Sequence, residues 1–390
     1  MAIDKTSLFQ IIDNYKSEMT SLSDDIFDHP ELGNQEYRSS SLLIERLERA
    51  GFQIEKNICN IETAFIATWH YRGGGYTVGL LCEYDALEGI GHACGHQMQG
   101  PATLAAAFAL QETAGEHPFT VQVFGTPAEE TTSAKLPMAA AGIFDHLDVA
   151  LMMHGSDSTT VDDKSLALNL INFIFTGIEA HAAVAPEKGR SALDALILLF
   201  NGVEFLREHV RTDVRMHGII KEGGVAANIV PGRAVGQFYI RAADRPYLDT
   251  VVARVEKVAQ GAAMMTETSV ELREIKRYDN KVSVPTLNKF LLENAEAAGA
   301  PDITPPRSST GSTDFSSVTY RVPGAAIRVG FVPRGTSSHS QTWIELGKSE
   351  KAHQALILSA KIMAGAALDL IENPDKQEEL REEFRVKKNS

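Results

Sequence analysis

The stretch Thr77–Asp85 reads TVGLLCEYD, an apolar run from Thr77 to Cys82 that leads straight into Glu83, Tyr84 and Asp85. The run has no one-sided alternation, so as a strand it must be buried on both faces of a sheet. Two runs of the same kind follow, Val121–Phe124 and Val149–Met153, the first leading through Gly125-Thr126-Pro127-Ala128 to Glu129-Glu130 and the second ending at His154. Between the first two strands, Pro101–Ala114 is rich in alanine and leucine with proline in its first turn, which predicts a helix. Strands alternating with helices imply an α/β sheet covered on both sides. Upstream, apolar residues from Thr6 to about Ala50 recur at helical spacing, with a break at His29-Pro30-Glu31-Leu32-Gly33 and a stop at Gly51.

The pattern changes between Leu166 and Arg277. Strands are expected at Leu168–Thr176, Met216–Glu222, Arg233–Arg241 and Ser269–Lys276, with helices at Ser191–Glu208 and Tyr247–Gly261. Strand, helix, two strands, helix, strand is the order of a ferredoxin-like α+β unit, and its length suits an inserted domain. The first pattern then resumes with a helix at Thr286–Ala298, a strand at Ala325–Phe331 and a long helix at Lys348–Ile371. The expected fold is therefore α/β: a mixed sheet with helices on both faces, built from 1–166 and 279–390 and interrupted by 167–278. The charged tail from Glu372 is expected to fray.

With 390 residues, 44% hydrophobic and 23% charged, the chain has the composition of an ordinary folded protein and the length of two domains. A formal net charge of −14 without a basic cluster argues against nucleic acid and anionic membranes as partners. The opening MAIDKTSLFQ lacks a basic stretch followed by an apolar run, and no later segment reads as a membrane span, so a cytoplasmic location is expected. Cys59, Cys82 and Cys94 form an odd, small set that suits a reducing compartment and leaves each thiol for packing or metal.

The ionisable residues fall where strands end. In an open α/β sheet the loops at the carboxyl ends of parallel strands form the ligand crevice. Glu83-Tyr84-Asp85, Glu129-Glu130, His154 and the loop Gly91-His92-Ala93-Cys94-Gly95-His96 would then bring a thiol, imidazoles and carboxylates together, which is a metal site in outline. The glycine between Cys94 and His96 permits the tight turn their joint ligation needs. The acid pair divides its labour, one carboxylate on metal and the other ready to take a proton from water. Taken singly, Glu129-Glu130 would read as an exposed acidic turn, His154 as a satisfied core histidine and Cys94 as a small hydrophobe. Their recurrence at successive strand ends favours the metal reading.

The strings EYDALEGIGHACGH, GTPAEE, MMHG, GIEAHAA, NIVPGRA, GSTDFSSV and SSHSQTW, in this order from about Ser23 to Ala366, resemble the motifs of the dinuclear-metal amidohydrolases and metallopeptidases of the hippurate hydrolase and auxin-amino-acid hydrolase type. The resemblance is strongest to the branch of aminobenzoyl-glutamate hydrolase and the β-alanyl-dipeptidase-like proteins. It implies a catalytic domain, a lid and dimerisation domain at 167–278, and hydrolysis of the amide bond of an N-acyl amino acid, an aminobenzoyl-glutamate-like conjugate or a small dipeptide with a free carboxylate. It further implies Cys94, His96, Glu130, His154 and His339 as ligands of two divalent ions, zinc or manganese, with cobalt also suited. Glu129 would be general base and then proton donor, His181 would steady the oxyanion from the other subunit of a homodimer, and Asp85 would orient a ligand. Asn228, Arg241, Gly311 and Ser312 would hold substrate.

Three departures from the family pattern bear on the pocket: Gln97 where many relatives have Asp, Thr131-Thr132-Ser133-Ala134 where relatives tend to carry a glycine run, and His154-Gly155 in place of His-Pro. Side chains at 131–134 would narrow or repolarise the pocket floor. Two other readings of the same residues stand beside the metal one. A cysteine hydrolase could pair Cys94 with His92 or His96, which leaves the acid pair unexplained. A binding protein on the same scaffold would be expected to have lost Glu129 or a ligand, and all are present.

Overall fold

A computed structural model of the chain describes residues 5–113, 115–307 and 312–388. The chain forms two compact units, one from 1–164 with 281–390 and one from 165–280. The crossings thus fall at 164/165 and 280/281, against 166/167 and 278/279 expected from the sequence.

The larger unit begins with helices α1 (Lys5–Asn14), α2 (Lys16–Asp28) and α3 (Tyr37–Arg49), the last ended by Gly51 at φ 84°. Strands β1 (Gln53–Lys56), β2 (Phe65–Tyr71) and β3 (Tyr76–Cys82) follow, then α4 (Gln99–Glu112), β4 (Phe119–Gly125), α5 (Lys135–Ala140), β5 (Val149–Ser156) and β6 (Thr160–Val161). The smaller unit then contributes β7 (Ala167–Thr176), α6 (Ala192–Arg207), β8 (Arg215–Glu222), β9 (Arg233–Ala242), α7 (Arg245–Met265) and β10 (Ser269–Tyr278). The larger unit is completed by α8 (Pro285–Ala297), α9 (Phe315–Thr319), β11 (Gly324–Gly330), α10 (Gln341–Leu346), α11 (Glu350–Ile371) and α12 (Pro374–Lys388).

The large sheet has seven strands in the order β1-β2-β4-β3-β5-β11-β6. Its centre is parallel, β4 and β5 flanking β3 and β11 lying beside β5, while β1, β2 and β6 run antiparallel to their neighbours. Both faces are buried, as the apolar run in β3 requires. Val78, Leu80 and Cys82 join the core formed with α1 to α4, α8 and α11, while Leu81 points the other way to meet Phe124, Met138, Phe144 and Met152. Removing a side chain such as Leu80, which has no exposed surface, is expected to destabilise the unit by about 2–5 kcal/mol.

Two expectations from the sequence are corrected here. The charged tail does not fray over its described residues: α12 is a helix whose Leu380 is buried and whose Phe384 packs one turn further along on the same core. Helix α11 is long and apolar enough to cross a membrane by composition, yet 78% of its apolar window is buried inside the unit, as befits a central core helix. Its start is set by Ser349, whose hydroxyl accepts Ala352 N–H at 3.2 Å.

The smaller unit is a four-stranded antiparallel sheet in the order β10-β7-β9-β8. In chain order that is fourth, first, third, second, the ferredoxin-like arrangement. Ile171, Phe173 and Phe175 of β7 and Phe238 and Ile240 of β9 pack against Leu196, Leu199 and Val203 of α6 and Leu248, Val251 and Val255 of α7. Ser191 and Asp244 cap these helices by accepting Asp194 N–H and Tyr247 N–H. β8 forms an edge, with Ile219 and Ile220 exposed on it and Phe205 of α6 exposed at 74%.

Candidate metal centre

The chain turns at β3: β4 lies on one side of it and β5 on the other, so a crevice opens at the carboxyl ends of the parallel strands. Every expected ligand lies at or after one of those ends. Cys94 and His96 come from the loop after β3, Glu130 from the turn after β4, His154 from the end of β5 and His339 from the loop after β11. Gly95 sits between two ligands at φ 80°, the left-handed conformation that a glycine adopts freely. His339 itself is left-handed, at φ 61°, and is tied to the other loop by its N–H donating to Ala93 O at 3.0 Å. A non-glycine residue held there stores strain, as functional positions often do.

The donor atoms converge in overlapping groups: Cys94 with His96 and His154, Cys94 with Glu130 and His339, and His96 with Glu129 and Glu130, the atoms of each group lying within 4.8 Å of one another. Cys94 Sγ is 3.6 Å from His154 Nε2, and His339 Nε2 is 3.2 Å from Glu130 Oε1. The far nitrogen of each ring is oriented: Nδ1 of His96 is 3.1 Å from Asp85 Oδ1, and Nδ1 of His154 is 2.7 Å from Gly155 O. Asp85 also accepts Glu130 N–H on its other oxygen at 2.9 Å, so one buried carboxylate aligns two ligands.

These residues fit a pair of divalent cations. Nε2 of His96 is buried and makes no hydrogen bond, although Glu83 Oε2 lies 3.1 Å away. The charge balance points the same way. Burial alone would raise the Cys94 thiol, but His96 and His154 bring it down to about 6. His339 is raised to about 10 by its hydrogen bonds to Cys94 and Glu130. Burial works against Glu130 ionising and is overcome by His339 and His96, which hold it at about 2. A thiolate and carboxylates crowded together call for positive charge, and mixed sulfur, nitrogen and oxygen donors suit borderline divalent ions.

Beneath Glu129 lies a set of buried charges that sequence reasoning missed. Lys135 Nζ donates to Glu83 Oε1 at 2.6 Å and to Asp314 Oδ1 at 2.9 Å, and all three side chains are sealed from solvent. Gln99 adds a hydrogen bond to Glu83 at 2.7 Å. Glu83 and Asp314 each have an oxygen within 4.8 Å of Glu129. Burial first, then Glu83, Asp314 and Glu130, hold the Glu129 carboxyl well above the usual carboxylate range, which is the direction a proton acceptor needs.

Against this geometry, the match to known proteins is decisive. Residues 79–361 match the model of peptidase family M20/M25/M40. The chain belongs to that family. It is accordingly a hydrolase of the amidohydrolase and peptidase class, as the motif strings imply. Among its M20 relatives, a p-aminobenzoyl-glutamate hydrolase polypeptide of Escherichia coli is 31% identical over 91% of this chain and 89% of its own length. Xaa-Arg dipeptidase of Mus musculus is 33% identical over 96% of this chain and 91% of its own length. Among solved structures, an aminobenzoyl-glutamate utilization protein from Klebsiella pneumoniae has a TM-score of 0.73 at 21% identity, covering 93% of this chain and 98% of its own, and a dinuclear metal binding M20 peptidase from Bacillus subtilis has a TM-score of 0.69 at 19% identity, covering 92% and 99%.

Each departure from the family pattern has its own local setting. Gln97 is buried and its amide donates to Gly347 O at 3.1 Å, a bond that an aspartate could not make. A Cβ at Gly155 would come within 2.7 Å of Phe331 and 3.0 Å of Met98, so a larger residue after His154 would require those side chains to shift. Thr131 and Thr132 are exposed and face the Gly33-Asn34 turn, Thr132 accepting from Asn34 Nδ2 at 2.7 Å. Ser133 is buried at φ 62°, a left-handed position of the kind that favours glycine.

His92 is also buried, and its ring stacks on Phe27 at 6.2 Å. Among the described residues, the remaining expected ones lie in the smaller unit, except Ser312, which precedes α9. His181 and Asn228 are exposed neighbours, joined by the His181–Ile229 bridge and by Ala182 N–H donating to Asn228 O at 2.9 Å. Arg241 stacks over Tyr239 at 5.0 Å and has a buried Nε without a hydrogen bond; it makes no ion pair among the described residues. Ser312 is half-buried, and Gly311 lies outside the described residues.

Proposed function

We propose that this M20 hydrolase cleaves the amide bond of an N-acyl amino acid, an aminobenzoyl-glutamate-like conjugate or a small dipeptide carrying a free carboxylate. The observation that carries the reading is the convergence of Cys94, His96, Glu130, His154 and His339 on one crevice with Glu129 among them. Two divalent ions, zinc or manganese, would supply Lewis acidity to water and to the scissile carbonyl. Glu129 takes the water's proton and returns it to the leaving amine. Cys94, His96, Glu130, His154 and His339 hold the ions, and Asp85 keeps His96 and Glu130 in register through the contacts described above. His181 of a second copy of the chain donates to the oxyanion, and Asn228 and Arg241 receive the substrate carboxylate together with Gly311 and Ser312. An arginine with an uncommitted Nε suits a carboxylate because its planar fork pairs two oxygens at once. The names of the two M20 relatives, one acting on aminobenzoyl-glutamate and the other on Xaa-Arg dipeptides, support a small substrate with a free carboxylate.

The smaller unit acts as lid and dimerisation domain in this reading. Its edge strand β8, with Ile219 and Ile220 exposed, and the exposed Phe205 give a second copy an apolar surface and unpaired backbone to meet. The test is a panel of N-acyl amino acids, β-alanyl and Xaa-Arg dipeptides and aminobenzoyl-glutamate, offered to chelated protein and to protein reloaded with zinc or manganese. Turnover of one class, lost on chelation and restored by metal, is expected. Turnover that survives chelation would instead assign the chemistry to the Cys94 thiolate.

A further inference from the structure

The turn that carries Glu129 and Glu130 is built around an improbable residue. Ala128 is fully buried at φ 63°, in the left-handed region that an alanine adopts only when its surroundings impose it. Its N–H donates to Glu36 Oε1 at 2.8 Å, and Thr63 Oγ1 donates to Glu36 Oε2 at 2.9 Å. Glu36 has no exposed surface and stands just before α3, 92 residues away from Ala128 in the chain.

The same connecting segment touches the turn at other points. Gly33 packs so close that a Cβ there would come within 3.0 Å of Ala128 Cα and 2.0 Å of Thr131 Oγ1. Glu31 O accepts Ala86 N–H at 2.8 Å, immediately after Asp85, the carboxylate that holds Glu130 N–H. Residues 31–36 therefore form a collar fastened to both loops that present the acid pair and its orienting carboxylate.

We infer that Glu36 is a positioning residue of this hydrolase: its buried carboxyl fixes the left-handed Ala128 and thereby aims Glu129 and Glu130 into the crevice. The inference rests on the proposed roles of those two residues. Glu36 does not touch the reacting atoms and acts only through the backbone. Geometry, and not charge, is what it supplies. A glutamine can accept Ala128 N–H with its oxygen and donate to the Thr63 hydroxyl, whereas an aspartate withdraws the oxygens by one methylene and an alanine removes them.

The experiment compares Glu36→Gln, Glu36→Asp and Glu36→Ala in the full, metal-loaded chain with two readouts. Amide hydrogen exchange across residues 126–134 reads the fastening directly. Steady-state kinetics on the best substrate of the panel reads its consequence. Glu36→Asp and Glu36→Ala are expected to speed exchange in that segment about tenfold or more and to lower kcat about tenfold to hundredfold, with KM within about twofold; Glu36→Gln is expected to rescue both to within about threefold. Should Glu36→Ala fail to fold, the contrast between Asp and Gln carries the comparison. Unchanged exchange in Glu36→Asp, or faster exchange with undiminished kcat, would overturn the inference. If the wild-type chain turned over no substrate of the panel while exchange still responded, the proposed function would fail and the fastening itself would stand.

Discussion

The two units handle charge in opposite ways. In the larger one, Glu36, Glu83, Asp85, His96, Lys135 and Asp314 are all buried, and they cluster around the crevice at the strand ends. In the smaller one, His181 and Asn228 are exposed, and the buried Arg245 is committed to structure, donating to Asn169 Oδ1 at 2.6 Å, to Asp279 Oδ1 at 3.1 Å and to Leu168 O at 3.0 Å. The difference teaches where strong electrostatics can be built. Carboxylates sealed from water act on one another strongly, whereas groups in contact with solvent are screened by it.

The largest effect that tests this contrast is at Glu129. Glu129→Gln is expected to lower kcat by about 10²–10⁴-fold while elemental analysis finds the metal content unchanged. Unaltered turnover would remove Glu129 from the chemistry and with it the functional meaning of the buried cluster. Next is Lys135→Met, which leaves Glu83 and Asp314 facing each other without a cation. A loss of about 3–5 kcal/mol in denaturant unfolding is expected, because a broken buried ion pair leaves uncompensated charge. The sharpening control is Arg273→Ala in the smaller unit, where the pair with Glu271 is 62% exposed on both sides. That change should move stability by less than about 1 kcal/mol. Equal losses from the two variants would erase the distinction between the units.

A pH experiment gives an effect smaller than that of Lys135→Met. The Glu36 carboxyl is pushed up to about 7, chiefly by burial and further by Asp85, against the hydrogen bonds it accepts. Its folded value lies above its ordinary 4.5, so its contribution to stability is fully present below about 4.5 and is lost as pH rises through about 7. Glu36→Gln, which cannot ionise, should therefore gain stability relative to wild type between pH 5 and pH 8, by an amount on the order of 2 kcal/mol. Parallel unfolding curves at the two pH values, with no change in the difference, would mean that this carboxyl is not held in the protonated direction.

Much of the site was legible because each ligand follows a strand that announces itself. The unbroken apolar run of Thr77–Cys82 dictates burial on both faces, and the polar residues after it have nowhere to go but the crevice. What was not legible depends on pairing across distance. Lys135 looks like a surface lysine at the start of a short helix until its partners, 52 and 179 residues away, are brought to it. Glu36 has the same character, since nothing near it in the chain names Ala128. The tail of the chain was misjudged for a different reason. Its charge suggests a fraying end, but Leu380 and Phe384, four residues apart, form an apolar stripe just wide enough to dock α12.

Lys135 has one more implication, for the protein stripped of metal. Because its ammonium already pairs with both Glu83 and Asp314, that part of the acidic lining carries part of its counter-charge within the chain itself. Small proteins whose structure exists only around their metal unfold without it. Here the expectation is that chelated protein keeps its fold while losing turnover, which circular dichroism and activity measured on the same sample would check.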